Sequence, residues 1–275
     1  MAERFAGKVV VITGASSGFG KGAACRFAEE GAYLVLVARR AELLAELAEH
    51  CIVLGGRAIP QPADVSKRAD VERIAQAALR EYGRIDIWIN NAGVGALGRF
   101  ERIPLEDHEQ VVGTNFLGPL YGSYFAYRQF LAQGAGILIN VASGLGGDTV
   151  PYYSSYAAAK HAVVGLGEAL RHEIAQGEAR DIHVCTLMPA AHDTPFFDHA
   201  ANYTGHEVQP PRPLHDPDGV VETIVRLALH PEDGHAAGQY AHPEQMEDAP
   251  PAADSPNALH APMRAGTEVS AGRRG

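Results

Sequence analysis

Short apolar runs alternate along the chain with longer segments in which apolar residues recur every three to four positions. The short runs are rich in β-branched residues and end at glycine or polar positions, a pattern typical of buried strands. The longer segments have the spacing of amphipathic helices. The predicted strands are residues 8–13, 33–38, 57–61, 85–90, 137–141 and 182–188. The predicted helices are residues 19–30, 41–50, 70–82, 104–130, 154–176 and 216–230, the fourth of them interrupted at Gly118-Pro119.

This alternation predicts a Rossmann-type, doubly wound α/β fold. Strands that are apolar throughout are buried on both faces, so helices are expected on both sides of a mostly parallel sheet. A short seventh strand is expected at residues 239–242, within a single domain that covers residues 1–243. Residues 189–217 combine proline, histidine and aromatic residues without clear periodicity and are interpreted as a lid. Residues 244–275 are rich in proline and alanine and are interpreted as a flexible C-terminal tail.

The composition limits the classes of molecule that the protein is expected to bind. The formal net charge is −10 and basic residues never run beyond a pair, so a nucleic acid backbone would be repelled. The three cysteines lack metal-ligand spacing, which favours reduced thiols in a cytoplasmic protein, and the thirteen histidines form no zinc-binding motif. No apolar stretch approaches the roughly 18 to 20 residues of a membrane span. Neither a metal, a membrane nor a signal peptide is therefore expected.

A glycine-rich turn follows the first predicted strand. Gly14, Gly18 and Gly20 have the spacing Gly-x-x-x-Gly-x-Gly and lead directly into a predicted helix. Glycine permits a tight backbone, and the N–H groups and dipole of a helix N-terminus attract a pyrophosphate. The turn indicates a dinucleotide site, although the same glycines would also suit a turn that only packs.

Two side chains with acid/base chemistry share one face of a predicted helix. Tyr156 and Lys160 are spaced i and i+4, which places the phenol beside the ammonium. A free tyrosine has a pKa of about 10, and a neighbouring positive charge favours the phenolate. A lone Tyr-x-x-x-Lys pair is most often a solvated helix face, but Ser143 upstream and the glycine turn favour a proton-transfer site.

Several motifs in a fixed order resemble those of the short-chain dehydrogenase/reductase family in its compact, NADP-preferring form. The resemblance covers about residues 8 to 238. Its motifs are the Thr-Gly-x-x-x-Gly-x-Gly turn at residues 13–20, Asp64, Asn-Asn-Ala-Gly at residues 90–93, Asn115, Ser143 and Tyr156-x-x-x-Lys160. The Thr-Pro-Phe-Phe sequence at residues 194–197 resembles a little-characterised bacterial subgroup. The implied function is an oxidoreductase that interconverts a carbonyl and a secondary alcohol.

The resemblance implies a role for each of four catalytic residues. Tyr156 is the general acid/base that exchanges a proton with the substrate while a hydride passes to or from the nicotinamide. Ser143 hydrogen-bonds the substrate oxygen, and Lys160 favours the phenolate and binds the nicotinamide ribose. Asn115 steadies the long helix and a water that leads from Lys160 to solvent. The alternative is a non-catalytic dinucleotide-binding redox regulator, whose expected mark is a broken Tyr-Lys pair, whereas the pair here is intact.

The end of the second predicted strand indicates the nucleotide. An acidic residue there would bind the adenosine ribose and repel a 2′-phosphate, but this chain has Ala38 followed by Arg39 and Arg40. A guanidinium binds phosphate strongly, so NADP(H) is expected over NAD(H), with the main contact from Arg39, helped by Ser16. With the resemblance, the implied cofactor-binding residues are Gly14, Ser16, Ser17, Gly18, Phe19, Gly20, Arg39, Arg40, Asp64, Val65, Asn91, Ala92, Gly93, Tyr156, Lys160, Pro189 and Thr194.

The lid and its neighbouring loops are expected to hold a small-molecule substrate. The candidate substrate residues are Ser143, Leu145, Tyr152, Phe196 and Phe197. Such a wall suits an apolar or aromatic ketone or alcohol, unless its residues only pack the lid. The chain departs from the family at Ala190, where a glycine is common. The resemblance further implies a homodimer or homotetramer built on the long helices.

Overall fold

A parallel sheet forms the centre of the protein, whose computed structural model describes residues 3–177, 181–206, 214–232 and 234–237. The strands of this sheet are β1 Val9–Thr13, β2 Tyr33–Ala38, β3 Arg57–Pro62, β4 Ile87–Asn90, β6 Ala135–Val141, β7 Asp181–Met188 and β9 Gly234–Ala237. Within the described residues they number seven, in the order β3-β2-β1-β4-β6-β7-β9. Every pairing between them is parallel.

The order of the strands reverses beside β1. The chain first builds outward from β1 to β2 and β3, and then crosses back to place β4 on the other side of β1, where Val11 pairs with Trp88. The loops that leave β1 and β4 therefore diverge and open a crevice at the carboxyl ends of the strands.

The helices cover both faces of the sheet. They are α1 Gly18–Glu29, α2 Ala41–Val53, α3 Arg68–Tyr82, α4 Leu105–Val112, α5 Gly118–Gln133, α6 Ser154–Gln176, α7 Phe196–His199 and α8 Asp218–Leu229. Because successive residues of a strand point to opposite faces, β1 contributes to two separate cores. Ile12 belongs to a buried cluster with Phe27 of α1 and Ile224 of α8, whereas Val11 belongs to a second cluster with Phe130 of α5. None of the described helices is both long and apolar enough to cross a membrane.

The predicted fold is confirmed, and its last described strand comes earlier in the chain than the predicted seventh strand. The last described strand is Gly234–Ala237, whereas the strand predicted at 239–242 lies outside the described residues. The predicted domain boundary at 243 and the tail at 244–275 also lie outside them. The remaining strands and helices agree with the sequence prediction to within a few residues at each end.

The interruption of the long helical region differs from the prediction. A π-helical segment, Gly113–Leu117, separates α4 from α5, and Gly118 and Pro119 begin α5 without breaking it. Proline is tolerated in the first turn of a helix, where its missing N–H would have no helical partner. The sequence shows where glycine and proline lie, but its apolar periodicity cannot show where a single helical turn is widened. That turn carries Asn115.

Two very short strands were not predicted from the sequence. β5 Ala96–Leu97 and β8 Ala201–Asn202 pair in parallel and form a separate two-stranded sheet. Two residues have no readable periodicity, so no pattern could have predicted them. This small sheet attaches the middle of the lid to the loop that follows β4.

Candidate active site

A cavity of about 820 Å³ runs along the carboxyl ends of the central strands. Its walls come from the glycine-rich turn, the end of β2, the loops after β4 and β6, α6 and the lid. The predicted site residues that line it are Gly14, Ser16, Ser17, Gly18, Phe19, Arg39, Arg40, Asp64, Val65, Asn91, Ala92, Gly93, Ser143, Leu145, Tyr156, Lys160, Pro189, Thr194, Phe196 and Phe197. Of the predicted residues, Gly20, Asn115 and Tyr152 are not among those that line it.

Two glycines of the turn are required for different reasons. Gly14 has a φ of +68°, and a Cβ there would lie 2.8 Å from the Cα of Ala92. A Cβ on Gly20 would lie 2.4 Å from the carbonyl oxygen of Gly14. Gly14 thus shapes the cavity wall, whereas Gly20 lets α1 pack closely against the turn. The structure places Gly20 in a packing role and not in the wall of the cofactor cavity.

A hydrogen-bonded bridge joins the turn to the end of β4. The Thr13 hydroxyl donates to the Ile89 carbonyl at 3.2 Å and accepts from the backbone N–H groups of Asn91 and Ala92, at 2.9 and 3.1 Å. The Asn91 side-chain amide donates to the Thr13 carbonyl at 2.9 Å. These bonds hold the two halves of the crevice in register. Thr13 was part of the quoted motif but was missing from the predicted site residues.

The start of α1 faces the cavity with an N-terminus that can bind an anion. Ser17 caps the helix in an extended conformation without a side-chain capping bond, and its first turn carries no acidic residue. The N–H groups of that turn are therefore available to a pyrophosphate. Thr194 of the lid lies next to Gly18, where a Cβ would be 3.5 Å from the Thr194 side chain.

Two arginines lie at the other end of the cavity. Arg39 and Arg40 are exposed and follow the last residue of β2. Arg40 Nη2 donates to Ser16 Oγ at 3.1 Å, and Arg40 Nη1 lies 3.5 Å from His199 Nε2 in the lid. The structure therefore pairs Ser16 with Arg40, and the expected phosphate contact from Arg39 and Ser16 stays a prediction. Arg40 is the N-cap residue of α2, and the extended backbone there directs its chain back over the turn.

The three predicted acid/base residues meet at the centre of the cavity. Ser143 follows β6, caps the short 3-10 turn Gly144–Gly146, and accepts a hydrogen bond from the Leu145 N–H at 3.2 Å. Tyr156 and Lys160 project from α6, with Lys160 Nζ 5.7 Å from the centre of the Tyr156 ring. Lys160 Nζ also donates to the Val141 carbonyl at 2.9 Å.

Burial has the largest effect on the pKa values of Tyr156 and Lys160. It raises the pKa of Tyr156 to about 12, although hydrogen bonding with Ser143 acts in the opposite direction. Burial also lowers the pKa of Lys160 to about 8. For Tyr156 the loss of water thus outweighs the hydrogen bond with Ser143. At neutral pH, Tyr156 is therefore a phenol that can donate a proton.

Asn115 supports the site from behind the cavity wall. It is fully buried, its Oδ1 accepts from the Val94 N–H at 2.9 Å, and its Nδ2 donates to the Val94 carbonyl at 2.8 Å. A Cβ on Gly93 would lie 3.6 Å from Asn115 Oδ1 and 3.9 Å from Lys160 Nζ. The side-chain amide thus fixes the loop after β4 beside Lys160. The expected role of Asn115 in steadying the long helix and a water that leads from Lys160 to solvent stays a prediction.

Aromatic side chains surround Tyr156 on the lid side. The Phe196 ring lies edge-on to the Tyr156 ring at 5.5 Å between centroids, and the Tyr153 ring lies 6.2 Å from it. Tyr153 lines the cavity where Tyr152 was predicted to do so. Tyr152 instead has a φ of +72°, and its carbonyl accepts from the Gly98 N–H at 3.1 Å. The sequence could not choose between adjacent tyrosines, because the choice depends on this left-handed backbone.

Several residues that line the cavity were not predicted, among them two histidines and an aspartate. His192 is buried edge-on against Phe19 at 5.3 Å, and Asp148 and His199 lie in loops or short elements with no sequence signal. Within the residues that the structure describes, no three histidine, cysteine or acidic side chains are grouped as metal ligands would be.

The doubly wound sheet, the glycine-rich turn at its switch point and the adjacent Ser, Tyr and Lys together define a dinucleotide-binding oxidoreductase. The family model for the short chain dehydrogenases matches residues 8–203. The chain belongs to the short-chain dehydrogenase/reductase family, as the sequence motifs predicted.

Individual relatives agree with this family assignment. An uncharacterized oxidoreductase of Bacillus subtilis, YxnA, is 39% identical over 236 residues, which are 85% of this chain and 66% of that protein. An alcohol dehydrogenase of the archaeon Thermococcus sibiricus, solved with 5-hydroxy-NADP, has a TM-score of 0.73 at 26% identity, covering 86% of this chain and 98% of that one. A 3-ketoacyl-(acyl-carrier-protein) reductase of Brucella melitensis, solved with NADH, has a TM-score of 0.71 at 32% identity, covering 84% and 96%.

Proposed function

We propose that the protein is an NADP(H)-dependent oxidoreductase that interconverts a carbonyl and a secondary alcohol, with Tyr156 as general acid/base. The observation that carries this proposal is that Ser143, Tyr156 and Lys160 share one cavity with the glycine-rich turn. A phenol, a hydroxyl and an ammonium at one point fit proton transfer to or from an oxygen atom.

The residues present fit a dinucleotide. Gly14 lies so close to Ala92 that a Cβ would not fit between them. The first turn of α1 presents N–H groups, and Asn91, Ala92 and Gly93 line the cavity. These groups would hold the pyrophosphate and the nicotinamide half. When bound, the nicotinamide supplies or accepts the hydride.

The side chains of this protein handle the proton and the orientation of the substrate. Ser143 Oγ would donate to the substrate oxygen, where negative charge develops during reduction. Tyr156, held as a phenol by burial, would pass its proton to the same oxygen, and in the reverse direction would take it back. The Lys160 ammonium stabilises the phenolate that remains, because opposite charges attract strongly in a buried site.

The preference for NADP(H) is supported by the charge at the end of β2. Ala38 leaves that position without a carboxylate, and the guanidinium groups of Arg39 and Arg40 line the same part of the cavity. A 2′-phosphate there would meet two positive charges and no carboxylate at the last residue of β2, while Glu42 in the first turn of α2 also lines the cavity. The alcohol dehydrogenase of Thermococcus sibiricus, solved with 5-hydroxy-NADP, is a structural precedent for this choice.

An apolar or aromatic substrate is supported by the wall around Tyr156. Leu145, Tyr153, Phe196 and Phe197 line this end of the cavity. Such a surface binds hydrocarbon or ring atoms, while Ser143 and Tyr156 select an oxygen.

A homodimer or homotetramer is supported by exposed apolar side chains on α4 and α5. These are Leu105, Val112, Tyr124 and Leu131.

A panel of aliphatic and aromatic ketones, aldehydes and secondary alcohols tests the proposal. The full chain is incubated with NADPH or NADH, and the absorbance of the reduced nicotinamide is followed. We expect turnover of at least one apolar ketone or alcohol, with kcat/KM for the phosphorylated cofactor at least about tenfold higher. NADPH binding without turnover across the whole panel would contradict the proposal and favour a redox regulator.

A further inference from the structure

The lid touches the end of β2 across the mouth of the cavity. Arg40 uses one guanidinium nitrogen on each side: Nη2 donates to Ser16 Oγ at 3.1 Å, and Nη1 lies 3.5 Å from His199 Nε2. Ser16 belongs to the glycine-rich turn, and His199 is the last residue of α7 in the lid. All three side chains line the cavity. The guanidinium is thus placed between the turn and the lid.

The His199 ring is itself oriented by its own helix. Its Nδ1 lies within hydrogen-bond distance of the Pro195 carbonyl, one turn earlier. When Nδ1–H donates to that carbonyl, Nε2 is left as the acceptor that faces Arg40. An imidazole held in this way can accept from the guanidinium and limit its rotation.

The same short helix reaches the catalytic end of the cavity. Phe196, the first residue of α7, lies edge-on to Tyr156 at 5.5 Å, and His199, its last residue, lies beside Arg40. One turn of helix therefore touches both the proton donor and the cationic end of the site.

We infer that His199 is a positioning residue for cofactor selection, which holds the Arg40 guanidinium ready for a 2′-phosphate and fastens the lid helix across the cavity. The inference rests on the proposed use of NADP(H). A free arginine side chain loses rotamer freedom when it binds phosphate, and a side chain already held in place loses less. The benefit is confined to ligands that carry the 2′-phosphate, because the adenosine itself does not need Arg40.

Calorimetric binding of two cofactor fragments tests this role without catalysis. The probes are 2′,5′-ADP and 5′-AMP, titrated into the full chain as wild type, His199→Ala, Arg40→Ala and the double variant. We expect His199→Ala to raise the Kd of 2′,5′-ADP about fivefold and the Kd of 5′-AMP less than about twofold. In the Arg40→Ala background, His199→Ala should raise the Kd of 2′,5′-ADP by less than about a further twofold. His199→Gln, whose amide oxygen can accept from Arg40, should recover part of the loss. His206→Ala, at an exposed histidine outside the cavity wall, is the matched control.

The outcomes separate this inference from the proposed function. Equal weakening of both probes, or additive losses in the double variant, would overturn the role of His199. A wild-type preference for 2′,5′-ADP that His199→Ala leaves unchanged would also overturn that role and would leave the NADP(H) preference intact. A wild type that binds both probes equally would overturn the NADP(H) preference and this inference together.

Discussion

Tyr156 and Lys160 show how one environment acts on two titratable side chains. Burial favours the neutral form of each, raising the pKa of Tyr156 to about 12 and lowering that of Lys160 to about 8. Lys160 is only 4% exposed and keeps a hydrogen bond to the Val141 carbonyl. The side chain proposed to stabilise a phenolate during turnover therefore destabilises the folded state.

Lys160→Met is expected to stabilise the fold while removing turnover. Below about pH 8 the lysine is charged in both the folded and the unfolded chain, so the wild type carries the full cost of burying it. We expect the variant to raise the free energy of unfolding at pH 7 by about 1–3 kcal/mol, because it no longer buries a charge. The gain is limited because the Val141 carbonyl loses its hydrogen-bond donor. Urea unfolding of both proteins measures the difference.

The pH dependence of the unfolding free energy tests whether burial of the Lys160 charge causes this difference. Between the lowered pKa of about 8 and the ordinary value of 10.5, the unfolded chain binds more protons than the folded one, so wild-type stability rises with pH. The advantage of Lys160→Met should shrink across this window. Lys21→Met, at an exposed lysine of α1, should show no such trend. A difference that stays constant from pH 7 to pH 10 would contradict the assignment.

Arg39 carries the sequence-based prediction of cofactor choice. It is exposed at the cavity mouth, directly after β2, where a 2′-phosphate would add charge-assisted bonds. Arg39→Ala should lower the ratio of kcat/KM for NADPH over NADH by about ten- to a hundredfold. Arg80→Ala, on the exposed face of α3, should leave that ratio unchanged. Initial rates with both cofactors provide the measurement, and an unaltered ratio in Arg39→Ala would remove Arg39 from the phosphate site.

Contacts between elements decide where the lid lies. β8 pairs with β5, and just beyond it the Tyr203 hydroxyl donates to the Asp107 carboxylate of α4, with both side chains buried. Burial, together with the hydrogen bond to Asp107, raises the pKa of Tyr203 above its ordinary value, so the phenol stays protonated. The lid is thus tied down about one helical turn beyond α7, whose Phe196 packs on Tyr156.

Tyr203→Phe should loosen this attachment. The buried Asp107 carboxylate would lose its hydrogen-bond donor, which costs about 1–3 kcal/mol of unfolding free energy. Because the affected contact holds the substrate wall and not the proton donor, KM should rise several-fold while kcat changes little. Tyr82→Phe, at the end of α3 and outside the cavity wall, is the control. A fall in kcat with unchanged KM would show that the attachment acts on the chemistry instead.

The predictability of these elements follows from their length. The repeated strand and helix units were readable because each buries a long apolar face, and α6 begins and ends at the predicted residues 154 and 176. The π-helical turn at Asn115 and the two-residue strands β5 and β8 were not readable, because each depends on contacts between distant segments. The same limit explains why Tyr153, and not Tyr152, lines the cavity, and why Ser16 pairs with Arg40. The residue types indicated the proposed chemistry, whereas tertiary packing decides which of two neighbouring residues lines the cavity or makes a given contact.

Considered as a whole, the molecule brings its functional groups together at one sheet edge. The reversal of strand order beside β1 opens the crevice, the turn after β1 forms one wall, and the loops after β4 and β6 form the other. Residues as distant in sequence as Gly14 and Phe196 thus line a single cavity of about 820 Å³. An oxidoreductase that uses Tyr156 is the function that this convergence supports best.

The most direct test compares the wild type with Tyr156→Phe on the best substrate of the carbonyl panel, with NADPH affinity measured by fluorescence on the same samples. Phenylalanine keeps the ring that packs against Phe196 and removes the hydroxyl alone. We predict a loss of kcat of about a hundredfold or more with NADPH affinity nearly unchanged, and little effect of Tyr153→Phe in the same wall. A Tyr156→Phe protein that turns over at the wild-type rate would contradict the account.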